Sequence, residues 1–101
     1  MLRLLRITGN SLTPAYQEGD FVLISKIPFL FHSMRPGDVI AFRQPGYGLL
    51  IKQVERIEPD RGAVFVTGSH PESIDSRHFG SIPRQAVLGR VIAHIRKEPH
   101  P

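Results

Sequence analysis

Residues 48–58 read GLLIKQVERIE: an apolar run with a lysine at its centre, opened by glycine. In an extended chain alternate side chains share a face. Leu50, Lys52 and Val54 therefore point one way, and Ile51, Gln53 and Glu55 the other. Apolar residues fall on both faces near the start, the pattern of a strand packed on both sides. Lys52 is thereby surrounded by apolar neighbours on its own face.

The same reading extends outward. LRLLRIT (2–8), DFVLISK (20–26), DVIAFR (38–43), AVFVTG (63–68) and GRVIAHI (89–95) are short, rich in β-branched and apolar residues, and bounded by Gly, Pro, Asp or Ser. Nine glycines and nine prolines interrupt the chain, and no stretch of helical period has convincing length. The spacing predicts a mostly β protein, a small antiparallel barrel or sandwich with little helix. At 101 residues there is room for one modest core. A single domain is expected over 1–96, with RKEPHP leading into a frayed tail at 97–101. Gly19-Asp20 and Gly37-Asp38 each open an apolar run, and both pairs read as turns: glycine takes the positive φ and aspartate caps.

Composition narrows the functions. The chain has no cysteine, which removes disulfides and thiolate metal sites. Its net charge of +4 is scattered instead of clustered, so no nucleic-acid partner is expected. MLRLLRITG is interrupted by Arg3 and Arg6 and is far short of a membrane span or a secretory signal. The expectation is a cytoplasmic protein, or one peripheral to a membrane through PFLF (28–31). Of the five histidines, His70 and His78 share a loop but lack a convincing third ligand. They read as surface groups, with no metal and no cofactor implied.

Lys52 carries the chemical question. A solvated lysine has a pKa near 10.4, so about one in 2,500 is neutral at pH 7. Removing the amine from water disfavours the ammonium and can make the group a usable base. A neutral lysine can take the proton of a hydroxyl and activate it as a nucleophile. The hydroxyl candidate is Ser11 in GNSLTP (9–14), where Gly9 permits close backbone approach and Pro14 stiffens the exit. A Gly-x-Ser turn offers an exposed oxygen beside backbone N–H groups that can hold an oxyanion. A third stretch, GSHPESIDSRHFGSIP (68–83), is a polar loop. In it Ser73 or Ser76 is placed to orient the lysine, and Asp75 and Arg77 to form a local ion pair.

These three stretches, in this order, resemble the boxes of the type I signal peptidase family of Ser/Lys-dyad proteases. The likeness runs through GNSLTPAYQEGDFVLI, GDVIAF…IKQVERI and GSHPESIDSRHFGSIPRQAVLGRV, over roughly residues 8–92. It implies Ser11 as nucleophile, Lys52 as general base, and Ser73 as the hydroxyl that orients the lysine. It also implies Gly9 and Asn10 at the oxyanion turn, Leu12 and Pro14 at the substrate pocket, and Asp75 with Arg77 as structural support. Three positions depart from the family pattern: Leu12 for Met, Gln53 for Arg, and Ser69-His70 for Asp-Asn. Without an N-terminal anchor or a large inserted domain, the chain is most similar to the short branch of nickel-type superoxide dismutase maturation proteases. The implied activity is serine endopeptidase removal of a leader from a precursor protein, bound as an extended strand. The alternatives are a non-catalytic β module of the same fold and a self-cleaving repressor-type domain, though residues 1–8 offer the latter no DNA-binding domain.

Overall fold

The computed structural model describes residues 2–7, 18–26, 34–69 and 74–96. Every apolar run identified above forms a strand: β1 (Leu2–Arg6), β2 (Phe21–Ser25), β3 (Val39–Gln44), β4 (Gly48–Glu58), β5 (Ala63–Thr67) and, after a two-residue β6 (Ile82–Pro83), β7 (Val87–Ile95). One short helix, α1 (Ser76–Phe79), and 3-10 turns at Pro59–Arg61 and Arg84–Ala86 complete the described chain. The mostly β expectation holds.

All seven strands belong to one antiparallel sheet in the order β1-β2-β7-β3-β4-β5-β6. Among the described residues the ladders run from β1 to β6, with no ladder joining these two edges. Three bulges interrupt the register, at Leu23/Ile24, Ala41/Phe42 and Val54/Arg56. Each adds local twist, and the sheet carries a core on both faces. Ile40, Phe42, Val54, Val64, Val66, Ile82 and Val87 form one cluster, against which Leu50 and Phe79 pack. Ile7, Val22, Ile24 and Ala41 form the other, joined by Leu5, Ile51 and Leu88. Strands β3 and β4 feed both clusters through alternate residues, which explains the two-sided apolar pattern of GLLI. Each fully buried large side chain contributes about 1.5–3 kcal/mol.

Where β2 and β7 meet, the backbones nearly touch. A Cβ built on Gly89 would lie 3.0 Å from the Ser25 carbonyl carbon and oxygen, so only glycine allows this approach. Gly19 and Gly37 have φ of 92° and 96°, as their turns require. The Asp38 carboxylate caps its turn by accepting the Arg35 amide at 2.9 Å.

Candidate functional site

Strand β4 places Lys52 opposite Ile40 of β3, itself fully buried, between Leu50 and Val54 on the same face. The side chain is only 2% exposed, while Gln53 and Glu55 on either side of Val54 are exposed. The lysine does not snorkel to water. Burial is the main influence on its amine and lowers the pKa from the ordinary lysine value. The Asp75 carboxylate pulls it partly back up, and the Arg77 guanidinium pushes it down. No ion pair to Lys52 occurs among the described residues.

Next to Lys52 the β4–β5 ladder ends with Gln53 opposite Thr67, which brings Gly68 alongside. The Gly68 amide donates to Asp75 Oδ2 at 2.8 Å. Asp75 is fully buried and serves as the N-cap of α1, its Oδ1 accepting the Arg77 amide at 3.0 Å. The Arg77 guanidinium closes on the same carboxylate, with Nη2 2.6 Å from Oδ2 and Nε 2.9 Å from Oδ1. Burial taken alone would raise the carboxyl pKa. The donors from Arg77 and Gly68 outweigh it, and the group is held below the ordinary aspartate value. His78 Nδ1 lies 4.0 Å from Asp75 Oδ1 at the exposed side of this corner.

Ser76, one of the two hydroxyls the loop offered for orienting the lysine, is buried and accepts the Val66 amide at 2.9 Å. It continues the bonding of the β5 edge beyond the two residues paired with β6. Ser73 lies outside the described residues, as do Gly9, Asn10, Ser11, Leu12, Pro14 and His70.

The structure does fix the points between which those segments run. The Ile7 amide donates to the Asp20 carbonyl at 2.7 Å, and the Gly19 amide returns to the Ile7 carbonyl at 2.9 Å. The stretch containing Ser11 therefore begins and ends at one clamped junction. The stretch containing Ser73 begins and ends at the Gly68–Asp75 bond.

Asp20 does more than cap a turn. It is buried, and its Oδ2 sits 2.7 Å from Nε2 of His94 on β7. Sequence reading missed this pair because the two residues are 74 positions apart and meet only through the β2–β7 register, Val22 opposite His94. Gln53, one of the departures noted above, reaches the Gly37 carbonyl from Nε2 at 3.4 Å. Among the described residues no group of three or more His, Cys, Asp or Glu could hold a metal ion. Nor is any helix among them long and apolar enough to cross a membrane.

A family model described as Peptidase S24-like matches residues 1–92. Over 82 residues, 76% of the chain, the sequence is 27% identical to signal peptidase I V of Bacillus subtilis (strain 168). The match covers 49% of that protein, so the chain spans about half the length of this curated relative.

Proposed function

Because the chain belongs to the Peptidase S24-like family, we propose that it is a serine endopeptidase working through a Ser11–Lys52 dyad. The observation that carries this reading is Lys52: an amine 2% exposed on an apolar strand face, with its pKa lowered by burial. A solvated lysine is a poor base at neutral pH, and a desolvated one is a competent base.

In this mechanism Ser11 Oγ attacks the scissile carbonyl while the neutral Lys52 Nζ takes its proton. The resulting oxyanion is held by backbone N–H groups of the Gly9–Ser11 turn. Collapse expels the amine, which receives the proton from Lys52, and leaves an acyl ester on Ser11. Water, deprotonated by Lys52, then hydrolyses the ester. Ser73 Oγ accepts an N–H of the amine and so orients its lone pair toward Ser11, and the Asp75–Arg77 corner holds the segment that carries Ser73. Leu12 and Pro14 line the pocket for a small residue before the cut.

An extended substrate adds to a free sheet edge. β1 is an edge strand that runs directly into the segment bearing Ser11, which makes it the natural dock. The substrate is a precursor protein from which a short leader is removed, and the chain's likeness to the short maturation proteases favours a nickel superoxide dismutase precursor.

The test is cleavage of such a precursor by the wild type, Lys52→Ala and Ser11→Ala, together with labelling by a serine-directed acylating probe. Loss of cleavage in both variants, with probe on Ser11 only in the wild type, supports the dyad. Undiminished cleavage by Lys52→Ala overturns it, and an unlabelled wild type would favour a non-catalytic module.

A further inference from the structure

The β1–β2 ladder ends on one rung beside the stretch that carries Ser11. Arg6 pairs with Phe21. One residue further, the Ile7 amide donates to the Asp20 carbonyl at 2.7 Å, and the Gly19 amide to the Ile7 carbonyl at 2.9 Å. This rung buries a carboxylate. Asp20 is 3% exposed, and its Oδ2 lies 2.7 Å from Nε2 of His94 on β7, a side chain 18% exposed. That is the short length of a bond to an ionised group.

The bond spans a break in the sheet. The β2–β7 register shifts between Leu23 and Ile24. On one side of the shift Ser25 pairs with Arg90, Arg90 with Ile40, and Ile40 with Lys52, so this part of β2 is in phase with the lysine. On the other side Phe21, Val22 and Leu23 pair with Ile95, His94 and Ala93, one residue out of step, and this part leads to the Ser11 junction. A slip of one residue there moves the junction by about 3.3 Å and turns its side chains to the other face. The Asp20–His94 bond, diagonal to the Val22–His94 pair, forms in one register only.

We propose that His94 is a positioning residue for the Ser11–Lys52 dyad: by holding Asp20 it fixes the phase of β2 beyond the bulge, and with it the root of the stretch that presents Ser11. The inference rests on the dyad reading and gives His94 a part played through Asp20. An apolar pair at these two positions would serve stability as well as a buried polar one, but it would not select the register. Misplacing reacting groups by about 1 Å costs about 10²-fold in rate.

The chain has no cysteine, so Ser11→Cys supplies a single thiol. Its rate of alkylation by iodoacetamide, followed against pH, reports its ionisation. Beside the Lys52 amine that thiol should titrate about one pH unit below the ordinary value near 8.5, and adding Lys52→Met should remove the depression. Adding His94→Leu should remove it too. His94→Gln, whose amide nitrogen can still donate to Asp20, should keep it. With Ser11 intact, acylation by a fluorophosphonate should slow about 10²-fold in His94→Leu and stay near the wild-type rate in His94→Gln. Thermal unfolding is followed on every variant. Where His94→Leu does not fold, His94→Asn, whose shorter side chain falls short of Asp20, takes its place.

A thiol still depressed in a His94→Leu protein of lowered thermal midpoint makes the residue structural only and overturns the inference. A depression that His94→Gln fails to keep overturns it as well. An ordinary thiol in Ser11→Cys with His94 intact, or one indifferent to Lys52→Met, overturns the dyad reading instead, and the inference with it.

Discussion

Lys52 and Asp75 are both withdrawn from water, at 2% and 0% exposure, and they influence each other's charge. Their surroundings could hardly differ more. Asp75 is met by two backbone amides and a forked guanidinium, so its charge is stabilised where it stands. Lys52 faces Ile40, Leu50 and Val54, and burial drives its amine toward the neutral form. One group has an environment built to keep it ionised, and the other an environment that lowers its pKa and so favours the neutral amine. A fold that only needed stability would place an apolar side chain at position 52. The contrast fits a structural part for Asp75 and the part of base that the proposed mechanism gives Lys52.

The largest test of this contrast is Lys52→Met, which keeps volume and removes the amine. Cleavage should fall by about 10²–10⁴, the usual worth of a general base. The thermal midpoint should hold or rise, because a desolvated charge is replaced by a well-packed apolar group. A drop in both would make Lys52 structural and erase the distinction.

Asp75→Asn should do the opposite and lower stability by about 2–4 kcal/mol in denaturant titration. Removing one partner of a buried pair strands the other, though Arg77, 41% exposed, recovers some hydration. The pH sign follows. The folded-state pKa of Asp75 is depressed, so its stabilisation is full above the unfolded aspartate value near 3.9. It is lost as pH falls through the folded value, and the variant should lose that acid-limb slope.

The same substitution sharpens the link between the two groups. The Asp75 carboxylate raises the Lys52 pKa, so its removal should move the alkaline-rising limb of kcat/KM to lower pH. In the proposed mechanism Lys52 must lose its proton to act, so that limb should lie below the ordinary lysine value. A limb that stays in place would mean the two groups are not electrostatically coupled.

Smaller effects probe the edges of the corner. Ser76→Ala removes the acceptor of the buried Val66 amide and should cost about 1–2 kcal/mol in thermal or denaturant unfolding. His78→Gln, at an exposed ring 4.0 Å from Asp75, should stay within about 0.5 kcal/mol. A larger loss there would give His78 a share in holding the aspartate.

The strands were legible because each is short, apolar and closed by turn residues whose φ demands are local. LLIK declared two-sided burial by carrying apolar residues at successive positions. β6 was not legible: Ile82–Pro83 is too short for any period, and it pairs only because Ala63 and Val64 present an open edge. Leu88 and Ile92, the extra residues of the two bulges on β7, likewise leave no mark in the sequence, since a bulge depends on the partner strand.

For the site, the lysine stood out because a charge interrupted an apolar face. The closeness of Asp75 and Arg77 followed from their two-residue spacing. The engagement of Ser76 with Val66 was hidden, since a loop serine looks the same whether it serves a lysine or a strand edge. The Asp20–His94 pair is purely a product of topology.

That topology has one more consequence. β7 lies between β2 and β3, yet it follows the other six described strands in sequence. During synthesis the β1–β2 pair and the three-stranded β3–β4–β5 meander must wait as separate pieces with open flanks, each lacking the wedge that unites them. Only when Val87–Ile95 has left the ribosome can it slot between them and join the two portions into one sheet.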